Sequence, residues 1–195
     1  MSTEPLQLWL IRHGETEWSL SGAHTSRTDI PLTARGEERA AKIRDYLAHR
    51  KFNLVLTSPL QRARETCRVA GYGEVAQVEE NLREWDYGIY EGRTTADIRK
   101  EQPEWSIWDT SIPNGEPVEQ VAARTQKVID RALAAGGQVA LFAHAHVLRI
   151  LTATWLALPP RAGSLFALGT GSVSTLGFER ETRVLSTWNR SFEID

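Results

Sequence analysis

Short apolar runs that alternate with stretches of helical spacing constrain this chain more than any other feature. Residues 6 to 11, with Leu8-Trp9-Leu10-Ile11 at their centre, then Leu54-Val55-Leu56-Thr57 and Val139-Ala140-Leu141-Phe142-Ala143, have no polar face. Strands of that kind must be covered on both sides. Between them lie segments of helical period. Thr33 is placed to cap a helix running to about residue 49, with Ala40, Ile43 and Leu47 on one stripe. Ser58-Pro59 opens a second, carrying Arg62, Arg64 and Cys67. A third has Val118, Val121, Ala122, Thr125, Val128, Ile129, Ala132 and Leu133 on its apolar face and is closed by Gly136-Gly137. Residues 147 to 158 are apolar nearly all round, predicting a deeply packed helix that Pro159-Pro160 ends. Val173 to Phe178 and Val184 to Trp188 read as an antiparallel pair. The expected fold is α/β, a three-layer sandwich whose mostly parallel central sheet is flanked by helices. The irregular stretch around residues 85–117 is expected to form a small cap.

The 195 residues, 41% of them hydrophobic, suit one domain spanning 1–195. A net charge of -2 argues against a nucleic-acid partner and leaves anion binding to local arginines. No apolar run approaches the roughly 18 to 20 residues that span a bilayer, so no membrane partner is expected. Met1-Ser2-Thr3-Glu4-Pro5 lacks a signal-peptide pattern, so a cytoplasmic location is expected. Cys67, the single cysteine, shares a stripe with Leu60, Ala63 and Ala70 and is expected in the core. Arg64, Arg68 and His49 are expected at the surface.

Ligands of such sheets bind beyond the carboxyl ends of the strands. Arg12-His13-Gly14-Glu15, Ser58 with the nearby Arg62, and His144 each follow one of the predicted strands, so one sheet edge gathers them. Together they suit phosphoryl transfer. An unprotonated imidazole can attack phosphorus, and guanidinium groups pair with phosphoryl oxygens. His13 is the candidate nucleophile, Arg12 and Arg62 the charge clamp, and His144 a further donor to the equatorial oxygens. Glu84 is the candidate acid for the leaving oxygen, with Asp86 as its rival. That role requires a carboxyl pKa raised by burial or by the phosphate's own charge. Gly14 is expected to allow a tight backbone, and either Glu15 or a backbone carbonyl to orient the His13 ring. His24 and His146 are open between substrate contact and a structural place, as are Trp85, Tyr87 and Trp105; packing is expected for Trp108. Gly169-Thr170-Gly171 reads as a turn.

Five blocks in order resemble the histidine phosphatase superfamily, in its phosphoglycerate mutase-like branch. They are Arg12-His13-Gly14-Glu15-Thr16-Glu17-Trp18, Thr28-Asp29-Ile30-Pro31-Leu32-Thr33, Ser58-Pro59-Leu60-Gln61-Arg62-Ala63, Glu84-Trp85-Asp86-Tyr87-Gly88-Ile89-Tyr90-Glu91-Gly92 and His144-Ala145-His146-Val147-Leu148-Arg149. Trp18-Ser19, His24-Thr25 and Glu84 to Gly88 are similar to stretches in bacterial acid phosphatases and sugar-bisphosphate phosphatases of that superfamily. The resemblance implies a phosphohistidine on His13, a phosphate pocket of Arg12, Arg62 and His144, and Glu84 as proton donor, with no metal and no cofactor. It also implies substrate contacts from Ser19, Thr25, Ser26 and Ala145. Three of these depart from the family pattern: Ser19 replaces a common asparagine, Ser26 a glycine, and Ala145 a glycine whose N–H serves phosphate only if the backbone there avoids positive φ. The chain is shorter than typical cofactor-dependent mutases, which favours hydrolysis of a small phosphorylated metabolite. The alternatives are mutase action, a His144/His146 metallohydrolase, and a phosphate-binding member without turnover. A homodimer is left open.

Overall fold

Strands without a polar face fold here into the middle of the molecule. The computed structural model describes residues 5–48 and 50–193. His49 and the segment before Pro5 lie outside the described residues, so the surface expected for His49 and the N-terminal reading are not addressed. The strands are β1 (Gln7–Arg12), β2 (Leu54–Thr57), β3 (Gln77–Val78), β4 (Gln138–Ala143), β5 (Val173–Glu179) and β6 (Thr182–Arg190). They form one sheet in the order β3-β2-β4-β1-β5-β6. β1, β2, β3 and β4 run parallel, and β5 and β6 add an antiparallel edge beside β1. Central β1 and β4 carry no exposed side chain.

Period-two alternation splits each central strand between two cores. Trp9, Ile11, Val55, Ala140 and Phe142 face Ile43 and Leu47 of α2 (Ala34–Leu47) and Cys67 of α3 (Gln61–Val69). Leu8, Leu10, Leu56, Val139 and Leu141 face α5 (Val118–Ala135) and α6 (Ala145–Trp155). The result is the expected three-layer sandwich. Thr33 caps α2, its Oγ1 accepting the Gly36 N–H at 3.0 Å. Cys67 is 1% exposed, and burial pushes its thiol pKa up to about 12. Arg64 and Arg68 are exposed.

One helix end differs from expectation. α6 stops at Trp155, before Pro159-Pro160, because Ala157 adopts a left-handed φ of 55° and the Leu158 N–H returns to the Ala153 carbonyl at 2.9 Å. A backbone terminator acts before the prolines do. Residues 85–117 form the expected cap, with α4 (Thr95–Glu101) after the short α1 (Glu17–Ser21) of the first loop. Trp85, Tyr87, Tyr90, Trp105 and Trp108 are all buried in it and join the α5/α6 core, so packing is the fate of all but Tyr87, which also lines a cavity. Ala23 pairs with Thr94 in an isolated bridge, tying the loop after β1 to the cap. Gly169-Thr170-Gly171 is a turn whose Thr170 carbonyl accepts from Arg39 at 3.2 Å.

Candidate active site

Strand register assembles the site. Arg12 lies opposite Ala143 and Thr57 opposite Phe142, so the residues that follow β1, β2 and β4 emerge side by side at the carboxyl edge. The His13 N–H bonds the Ala143 carbonyl at 3.0 Å and the Ser58 N–H the Phe142 carbonyl at 2.9 Å. The His13 and His144 rings lie 5.1 Å apart. After His13 the chain must pass against the start of α2. A Cβ on Gly14 would fall 2.4 Å from the Gly36 carbonyl oxygen, and one on Gly36 2.3 Å from that of Glu15. Both positions therefore require glycine for closeness rather than for an unusual φ.

His13 is 6% exposed, and its Nδ1 lies 2.7 Å from the Gly14 carbonyl oxygen. A carbonyl only accepts, so the proton sits on Nδ1 and the Nε2 lone pair is free. Burial, reinforced by Arg12 and Arg62, holds the His13 pKa well below its usual value, so the ring is neutral. Of the two orienting groups expected, the backbone carbonyl is the one present. Glu15 instead accepts from Thr33 Oγ1 at 2.9 Å, bracing the α2 cap.

Arg12 donates through Nη1 to the Leu168 carbonyl, and its buried Nε–H has no partner among the described residues. Burial brings its pKa down to about 10. An anion would satisfy that donor. Arg62, 1% exposed, is held by Nε to His144 Nδ1 at 3.2 Å and by its terminal nitrogens to the carbonyls of Thr28 at 3.1 Å, Thr25 at 3.2 Å and Ser26 at 3.3 Å. One Nη1–H remains without a protein partner among the described residues.

His144 has different partners from those expected of it. Because Nδ1 accepts from Arg62, the proton lies on Nε2 and points to Ser58 Oγ at 2.8 Å. Both ring nitrogens are thus engaged, one aiming Arg62 and the other fixing the turn after β2. Its pKa is held well below the usual value, first by burial and then by the arginines.

The Glu84 carboxylate caps α6 from another segment. Its oxygens accept the N–H groups of Val147 at 2.8 Å, Trp85 at 2.9 Å and His146 at 3.1 Å. Ala145, the first residue of α6, is not at positive φ, so the condition set by its sequence is met. Its N–H has no acceptor within the helix by position. Asp86 is turned away: it pairs with Arg27 and accepts the Gly88 N–H at 3.0 Å.

A cavity of about 170 Å³ joins these groups, lined at one end by Arg12, His13, Glu84 and Ala145. Its other end includes Ser19, Thr25, His24 and His146. Ser19 lines it with a hydroxyl already donating to the Thr16 carbonyl at 2.8 Å, and Thr25 with one donating to that of Ala23 at 2.9 Å. Ser26 does not line it. The Ser26 hydroxyl donates to Glu91 at 2.8 Å, and the residue contributes by presenting its carbonyl to Arg62. A larger hollow of about 580 Å³ beside β3 holds Cys67, whose raised pKa leaves it a poor nucleophile, so size does not pick out the chemistry. No three His, Cys, Asp or Glu side chains form a metal-binding group among the described residues, His144 and His146 included.

Two supporting units have no local sequence signature. The Glu91 carboxylate accepts the Ser26 and Thr28 N–H groups at 2.9 and 3.0 Å, holding the loop whose carbonyls grip Arg62. Arg124 on α5 donates to the carbonyls of Asn81 at 2.7 Å, Arg83 at 2.6 Å and Glu84 at 3.1 Å, and is itself held by Glu116 at 2.8 and 3.0 Å. It fixes the backbone that carries Glu84. The only hint in the sequence is that Glu116 and Arg124 stand about two helical turns apart.

Comparison with known proteins follows the same lines. A family model for the histidine phosphatase superfamily, branch 1, matches residues 8–191. An acid phosphatase of Mycobacterium tuberculosis is 38% identical over 184 residues, covering 92% of this chain and 90% of its own. A sedoheptulose 1,7-bisphosphatase of Saccharomyces cerevisiae is 34% identical over 182 residues, covering 76% of this chain and 67% of its own. The solved structure of an open reading frame from Mycobacterium tuberculosis superposes with a TM-score of 0.90 at 36% identity, covering 97% of this chain and 99% of that one.

Proposed function

The chain belongs to branch 1 of the histidine phosphatase superfamily, and we propose that it is a phosphomonoesterase that hydrolyses small soluble phosphate esters, sugar phosphates among them, through a phosphohistidine on His13. One observation carries the reading: a neutral His13 with its Nδ1 proton committed to the Gly14 carbonyl shares a cavity with the unpartnered Arg12 donor and with Glu84.

In the first step His13 Nε2 attacks phosphorus and the bond to the ester oxygen breaks. Glu84, having taken the acidic proton of the bound phosphate monoanion, gives that proton to the departing oxygen. In the second, water attacks the phosphoryl group, Glu84 takes the water's proton, and the P–N bond breaks to release inorganic phosphate. Arg12, the free Nη1–H of Arg62 and the Ala145 N–H offset the charge on the equatorial oxygens. His144 acts through Arg62 as a positioning residue. Charge stabilisation is thus assigned to arginines and a helix N-terminus rather than to a metal ion.

Replacing His13 with alanine tests the reading. Phosphate release from phenyl phosphate in excess chelator is expected for the parent chain and absent for the variant. Undiminished release by the variant would contradict the mechanism, and phosphoglycerate isomerisation outpacing release would indicate a mutase.

A further inference from the structure

The leaving-group end of the cavity is built differently from its phosphate end. Four aromatic rings line it, Trp18, His24, Tyr87 and His146; His24 lies 4.9 Å from Tyr87, and Trp105 and Trp108 back the wall at 5.3 Å from His24 and 5.2 Å from His146, centroid to centroid. The Tyr87 hydroxyl is 2.6 Å from His146 Nδ1. Burial holds the Tyr87 pKa well above its usual value, so the phenol keeps its proton, and with no other acceptor for the hydroxyl among the described residues it donates to Nδ1. That fixes the His146 proton on Nε2, which no protein acceptor takes among the described residues. Burial also lowers the pKa of His146 strongly and that of His24, so both rings are neutral and neither supplies a positive charge.

Nearby cations are committed elsewhere. Arg27 pairs with Asp86, and Arg93 with Glu101 at 2.5 Å. Arg99 donates to the Trp105 carbonyl at 2.9 Å. Arg149 donates to the carbonyls of Gly163 at 3.0 Å and Ser164 at 3.2 Å, with its guanidinium 4.7 Å from the Trp108 ring centre. Among the described residues Arg12 is the one cation in the cavity lining, and both it and Arg62 are committed to the transferred phosphate.

Resting on the phosphatase reading above, we infer that the cavity selects esters with a single phosphate on an uncharged alcohol, and discriminates against substrates whose leaving group carries a second anion. A carboxylate or second phosphate there would lose its water among aromatic walls and find no cation, whereas a neutral hydroxyl can accept from His146 Nε2–H. Tyr87 and His146 are the specificity-determining pair, one fixing the tautomer of the other.

Three aryl phosphates of similar phenol acidity test this by kcat/KM for phosphate release: phenyl, 4-(hydroxymethyl)phenyl and 4-carboxyphenyl phosphate. The first two are expected to be used comparably and the third at least about tenfold less well, the order set by one unpaired desolvated charge. Ala23→Arg, at a cavity-lining position outside the catalytic set, is expected to narrow that gap. Equal use of all three overturns the inference and leaves the phosphatase reading standing. Poor use of both substituted esters assigns the effect to size and overturns it too. Failure of Ala23→Arg to narrow an observed gap counts against charge as its cause. Hydrolysis of none overturns the phosphatase reading and the inference with it.

Discussion

Arg124→Ala removes a side chain that touches no substrate but holds the segment on which Glu84 sits. Arg124 and Glu116 are 14% and 17% exposed, and five hydrogen bonds converge on the guanidinium. Its loss strands the Glu116 carboxylate and leaves three loop carbonyls without their donor. Breaking a fully buried pair costs about 3–5 kcal/mol, and this partly exposed one should cost about 2–3 kcal/mol, a sizeable share of a total stability of about 5–15 kcal/mol. Urea unfolding of the two proteins should show it. The kinetic consequence is separable. Displacement of Glu84 affects protonation of the leaving oxygen, so kcat/KM for phenyl phosphate should fall about tenfold or more, equivalent to about 1.4 kcal/mol. The loss should be much smaller for 4-nitrophenyl phosphate, whose phenolate leaves without a proton. Arg124→Lys keeps the charge without the fork and should recover part of the stability but little of the rate on phenyl phosphate. An unchanged unfolding free energy, or equal loss on both esters, would refute the reasoning.

Three further outcomes follow from the same geometry. Glu84→Gln should lower kcat/KM, which reports the phosphoryl-transfer step alone, by about 10²–10⁴ on phenyl phosphate while sparing it on 4-nitrophenyl phosphate, and a uniform loss of kcat/KM would argue against the acid role. His13, His144 and His146 have pKa values well below that of an unfolded histidine, so below about pH 6.5 the unfolded chain binds protons that the folded one excludes. Stability is therefore full above that pH and declines toward the folded pKa values, by roughly 4 kcal/mol for the three residues between pH 7.5 and 5.5; denaturant midpoints that hold steady over that range would contradict the buried neutral rings. Gly36→Ala should destabilise by about 3 kcal/mol or more, because its Cβ would meet backbone rather than a movable side chain; wild-type stability in thermal unfolding would show that the approach of α2 to Glu15 relaxes.

What the sequence revealed and what it hid divide along physical lines. Strands such as Val139 to Ala143, covered on both faces, leave a continuous apolar run, and helices leave a period, so the layers and the cap were legible. So was the gathering of His13, Ser58 and His144, because parallel strands deliver their carboxyl ends to one edge. Hydrogen-bond partners between distant segments leave no such trace. Glu91 reaching Ser26 and Thr28, and Arg124 reaching the Glu84 backbone, join residues far apart in sequence through main-chain atoms that every residue possesses. Glu15 turned to Thr33 instead of His13 because the Gly14 carbonyl was already within reach of the ring. Ser26 faces Glu91 rather than the cavity for the same reason: a half-buried carboxylate claims the nearest donors first.

The central claim is the covalent intermediate, and rapid quenching during turnover of a good substrate tests it most directly. The account predicts an acid-labile, base-stable phosphoryl group on the protein, mapped by peptide mass spectrometry to His13 and absent from His13→Ala. Turnover at full rate with no label on His13, or with the label on another residue, would contradict it.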